Sequence, residues 1–142
     1  MLAALILVIS VAALAQFAVW YLRAMIATVA SQPLSDRFST FFSSGGGTPG
    51  SNDFNLSCAF YRLCPEVELN APDPSTQSGA RLSAVRVYYK LLVVLRGFSR
   101  VVMPALSAWA GREMETCSRY AAVLLDQRLE RNVEAIARIY AG

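Results

Sequence analysis

Histidine is missing from this chain altogether, and lysine occurs once, at Lys90. Without an imidazole there is no Ser-His-Asp or Cys-His catalysis, no common zinc site and no histidine-ligated haem or chlorophyll. Lys90 is the lone Schiff-base candidate, with nothing beside it to activate it. Glu113 and Glu115 are neighbours in sequence, but an i,i+2 spacing turns helical side chains to different faces, a poor start for an acid–base pair. The run Gly45-Gly46-Gly47 is not followed by Gly-Lys-Ser/Thr, so it is no phosphate loop.

Cysteine is also scarce. Cys58, Cys64 and Cys117 are an odd set and make no disulfide framework. Cys58 and Cys64 are close enough in sequence to bridge in an oxidising space, but reduced, hydrophobe-like cysteines are the preferred reading. Cys117 falls on an apolar stripe and reads as a packing residue rather than a reactive thiol. No enzyme, catalytic residue, metal site or bound cofactor is expected.

Charge is absent from Leu2 to Leu22, where only Ser10 and Gln16 are clearly polar. Roughly twenty such residues cross a bilayer core of about 30 Å. Eleven Leu, Ile, Val and Phe residues lie in 2–22; at about −0.3 to −0.6 kcal/mol each, their sum of roughly −3 to −7 kcal/mol exceeds the cost of one Gln and one Ser. Residues 1–32 are therefore expected to form a transmembrane anchor helix, ended by Gln32-Pro33. Trp20, Tyr21 and Arg23 mark the headgroup level, where amphipathic rings and guanidinium groups settle. Ala13-Leu14-Ala15 has the form of a signal-peptidase site. The missing basic n-region and the apolar run beyond Ala15 favour an uncleaved anchor. Arg23 and Arg37 on the C-terminal flank predict a single-pass protein of the plasma (inner) membrane, its N-terminus outside and its C-terminal region cytoplasmic. Gln16, with Ala12, Ala13 and Val19, offers a stripe for helix–helix contact.

Residues 33–80 read as an irregular Gly/Ser/Pro-rich segment. Residues 43–53, SSGGGTPGSND, are linker-like. A short helix over 53–64, capped by Asp53 and stopped by Pro65, is expected, followed by turns through Pro72, Pro74 and Gly79. Phe38, Phe41, Phe42, Phe54, Phe60 and Tyr61 make this an aromatic segment, a composition that points to packing against a partner rather than to a free linker.

Residues 81–142 are expected to be helical. From Leu82 to Val102, with Ser78 as an earlier possible start, Arg86, Lys90, Arg96 and Arg100 share one third of the helical wheel and apolar residues cover most of the rest. That is a basic amphipathic helix, and its four cations join Trp20, Tyr21 and Arg23 as expected membrane-interface residues. Packing inside the protein satisfies the same pattern; a second crossing is disfavoured because Lys90 would sit near the bilayer centre. Pro104 ends this helix, and a long terminal helix follows from about Ala105 to Tyr140. Leu106, Ala110, Cys117, Ala121 and Leu124 form a stripe that Leu125, Leu129, Val133, Ile136 and Tyr140 continue. Gln16, Leu106, Trp109, Cys117, Leu124 and Ile136 are the expected helix-packing residues. The two helices could form a hairpin, or each could meet a helix of another subunit.

The fold expected is thus mainly α: one transmembrane helix, a long irregular linker and a C-terminal helical hairpin. Its mean hydropathy of +0.40 and net charge of +3 suit a membrane-bound, basic protein. The function expected is that of an accessory, structural or assembly subunit of a larger membrane protein complex. Its partners would be other membrane subunits, anionic lipid, or a second copy of the chain. A tethered module binding anionic lipid, or less readily nucleic acid, through its arginines is the alternative. An exported, pilin-like filament subunit is weaker, because the helix lacks a basic leader and an acidic residue near its start.

Overall fold

The computed structural model describes residues 1–35, 49–70 and 76–141, those at 2, 49–54, 76–78 and 141 by their backbone alone. Among the described residues there are four helices and no strand: α1 (Leu2–Ala30), α2 (Pro49–Leu69), α3 (Thr76–Val102) and α4 (Pro104–Ala141). The linker residues 43–48, Arg37, Phe38, Phe41, Phe42, Pro72 and Pro74 lie outside the described residues, as do the side chains of Asp53 and Phe54.

Residues 49–69 are more regular than their composition predicts. Instead of a short helix ended at Pro65, α2 runs 21 residues with Pro65 inside it. A proline in a helix interior forfeits a hydrogen bond and costs about 3 kcal/mol. Here Pro65 itself is exposed, while Ala59, Phe60, Cys64 and Val67 are buried. The packing of those four residues outweighs the local penalty. Pro49, expected in a linker, instead begins this helix, where its fixed φ is compatible with a first helical turn.

All three other helices pack on α4, the longest element. Pairing distances along the chain give their directions. Arg23 meets Glu113, 90 positions later, and Ser35 meets Asp126, 91 positions later, so α1 and α4 advance together. Val67 meets Arg128 at a separation of 61 and Asn70 meets Asn132 at 62; α2 is parallel to α4 as well. The separation between α3 and α4 partners shrinks toward Met103, from 25 for Tyr88–Glu113 to the contact of Arg96 with Gly111. These two helices are antiparallel. Met103 makes the turn between them, its N–H donating to Ser99 and its carbonyl accepting from Leu106.

The core lies where the four helices meet. Ile26 and Ala30 of α1, Phe60, Cys64 and Val67 of α2, Val85, Tyr89 and Leu92 of α3, and Met114, Cys117 and Ala121 of α4 belong to it. Phe60 stacks on Tyr89 with ring centroids 4.0 Å apart. Such pairs contribute about 0.5–1.5 kcal/mol beyond their area. Buried residues of α1 begin only at Ile26; residues 3–21 are exposed on every side. The helix therefore leaves the bundle as an apolar stalk of about 30 Å. It is the one helix among the described residues long and apolar enough to cross a membrane, with a mean hydropathy of 2.3 over Ala3–Ala30.

Candidate functional site

The candidate sites among the described residues are surfaces. Among the described residues, no group of three or more His, Cys, Asp or Glu side chains is placed to hold a metal ion. Cys117 is fully buried, and desolvation pushes its thiol up to about 12. Burial also raises Cys64. Cys58, six residues earlier on α2, is exposed; an i,i+6 spacing sends these two side chains to different faces of the helix, so they form no bridge.

Where α1 leaves the bundle, its junction with α4 is polar. Arg23 Nη2 donates to Glu113 Oε1 at 2.7 Å, and its guanidinium carbon lies 5.3 Å from the centre of the Trp109 ring. The Tyr88 hydroxyl donates to Glu113 Oε2 at 3.2 Å, and desolvation, followed by the Glu113 charge, raises the phenol above its ordinary range. At the other end of the contact, Asp126 accepts from both the N–H and the hydroxyl of Ser35, at 3.0 and 2.7 Å. Gln127 donates to Gln32. The start and end of this junction are each held by a carboxylate of α4.

The residues expected at the membrane interface occupy different places. Trp20 and Tyr21 are exposed on α1, one turn before the Arg23 junction. Arg96 packs against Gly111, with its guanidinium where a Cβ on that glycine would stand, and Arg100 is exposed near the α3–α4 turn. Lys90 is exposed midway along α3. Arg86 pairs with Glu68 at 2.7 Å, at the end of the bundle where α2 finishes. Among the expected packing residues, Cys117 is buried, Leu106, Trp109 and Leu124 are half-buried, and Gln16 and Ile136 are exposed.

Besides the stalk of α1, two exposed apolar surfaces stand out among the described residues. The wide apolar face of α3 is split in two: Leu82, Val85, Tyr89 and Leu92 face the core, whereas Val87, Leu91, Val94, Phe98 and Val101 are exposed. The exposed set alternates steps of four and three, the spacing of a heptad seam. Sequence pattern alone shows the whole face as apolar and not its division. The second surface is the end of α4, where Val133, Ile136, Ile139 and Tyr140 are all exposed. The stripe that begins at Leu106 is therefore covered only as far as Leu129, which is half-buried against the core. No protein-family model matches this chain, and neither the curated proteins nor the solved structures yield a match.

Proposed function

We propose that this chain is a non-enzymatic, single-pass membrane protein that serves as an accessory or assembly subunit of a larger membrane complex. In this reading α1 is an uncleaved anchor in the plasma (inner) membrane and the bundle is cytoplasmic. The observation that carries it is the end of α4. A helix that continues well beyond its own bundle with Val133, Ile136, Ile139 and Tyr140 exposed has an apolar stripe to offer another helix. The opposite side carries the Glu134–Arg138 pair, 3.9 Å apart, as expected of the solvent side of a docked helix.

Gentle detergent extraction of native membranes tests the proposal. The full-length chain is expected in the alkali-washed membrane pellet, and after extraction it should elute with other membrane proteins in a complex that withstands raised salt. Elution as a lone monomer would overturn the subunit reading. A mature chain trimmed behind Ala15 would overturn the anchor.

A further inference from the structure

We propose that the α3–α4 turn, residues Phe98–Met103, is a second membrane-inserting element that enters the same lipid leaflet from which α1 emerges. The inference rests on α1 being a membrane anchor and adds what the bundle does beside it. The contacts Arg23–Glu113, Gln32–Gln127 and Ser35–Asp126, at separations of 90, 95 and 91, set the level of α4 against the buried end of α1. Glu113 is level with Arg23, and Pro104 begins α4 nine residues earlier, about 13 Å along the α4 axis in the direction of the N-terminal end of α1. With Trp20, Tyr21 and Arg23 at the headgroups, that distance carries the turn past them into the upper acyl chains, since half of the hydrocarbon core is about 15 Å.

What stands at that level is suited to lipid. Val101 is 91% exposed and Phe98 76%, and Val102 and Met103 are exposed beside them. The charges around the turn are all positive: from Arg81 to Arg112 there is no acidic residue. Glu113, the first acid after them, is engaged by Arg23 and Tyr88. Helical side chains lean toward the N-terminus of their own helix. Because α3 runs toward the membrane, exposed Arg100 leans back toward the headgroups, the geometry of a snorkelling cation. An apolar tip below Arg100 matches the layering of a leaflet. A protein partner would not require this ordering.

Spin labels on the intact chain test the proposal in vesicles of equal parts phosphatidylcholine and phosphatidylglycerol. With exposed Cys58 replaced by serine, single cysteines are introduced at Leu14→Cys in the anchor, Val101→Cys at the turn and Ala84→Cys on the distal part of α3. Accessibility to dissolved oxygen and to a polar nickel chelate is then compared. Labels at 14 and 101 are expected to favour oxygen over the chelate, and the label at 84 to show the reverse. A label at 101 as open to the chelate as that at 84, with 14 still in lipid, overturns the inserted turn and leaves the anchor standing. A label at 101 shielded from both reagents also overturns it, because the turn is then covered by protein. A label at 14 in water overturns the anchor and the inserted turn together.

Discussion

Arg128 of α4 donates through Nη1 to the main-chain carbonyl of Val67, in the last turn of α2. A helix leaves its last four carbonyls without intrahelical donors and carries partial negative charge there. A guanidinium at that point answers both, and Asn132 adds a contact to Asn70 just beyond the helix. The arginine is only 7% exposed, and desolvation, with the neighbouring charge of Arg131, lowers its pKa. Its burial fixes the end of α2 against α4.

Truncating this side chain should therefore cost more than its charge alone. Arg128→Ala leaves the Val67 carbonyl buried without this donor, a penalty of about 1–3 kcal/mol, and removes the packed stem as well. Arg128→Met retains most of the stem and removes the buried charge. Melting followed by circular dichroism in mild detergent should place Arg128→Ala lowest, with Arg128→Met between it and the native chain.

The contact between Arg96 and Gly111 predicts a non-additive pair. Alanine in place of a mid-helix glycine gains about 1 kcal/mol of helix propensity, but here its Cβ would occupy the position of the Arg96 guanidinium. In an Arg96→Ala background that obstacle is gone, and Gly111→Ala should stabilise by about 1 kcal/mol. In the native background it should gain measurably less, because the arginine must first move aside. Equal gains in both backgrounds would show that the close approach has no energetic weight.

How far the fold could be read in advance depends on the range of the forces involved. The stalk of α1 was legible because its signal is local: no charge from Leu2 to Leu22. The spacing of Ala110, Cys117, Ala121 and Leu124, which reach the core, is likewise a local helical signal. The full extent of α2 has no such signal. Pro49, Gly50, Ser51 and Pro65 argue locally for a break, and only contacts with distant residues, such as Phe60 on Tyr89, override them. The carboxylates that hold α1 to α4 were equally hidden, since nothing near Asp126 in sequence points to Ser35. In the sequence, Phe98–Val102 reads as the end of a basic amphipathic helix. Its level relative to α1 emerges only when both helices are seen against α4.

Alkaline pH should weaken the bundle. Burial raises the thiols of Cys64 and Cys117 and the phenols of Tyr88, Tyr89 and Tyr120 above their ordinary values. Each group stays protonated in the folded chain after it has ionised in the unfolded one, so the unfolded state binds fewer protons and stability falls as pH rises. For Cys117 the window runs from the ordinary value of 9.0 to about 12, with a slope approaching about 1.4 kcal/mol per pH unit within it. Melting temperatures should hold below pH 9 and decline above it, and Cys117→Ala should soften the decline. In the native chain near neutral pH, iodoacetamide should modify exposed Cys58 and spare Cys64 and Cys117.

The end of α4 provides the most direct separation of folding from assembly. Val133 and Ile136 are exposed on the last turns of the helix, beyond the core residues of α4, so Val133→Gln with Ile136→Lys removes no core packing. Surface changes of this kind alter stability by about 0.5 kcal/mol or less, and both replacements are at least as good helix formers as the residues they replace. The doubly substituted chain should melt with the native protein and remain in the membrane. Its association with other membrane subunits should weaken at least tenfold, equivalent to about 1.4 kcal/mol of lost contact, measured as the fraction that elutes free after gentle extraction. Unchanged co-elution would remove this stripe from any role in assembly. A reduced melting temperature would show instead that the end of α4 supports its own bundle.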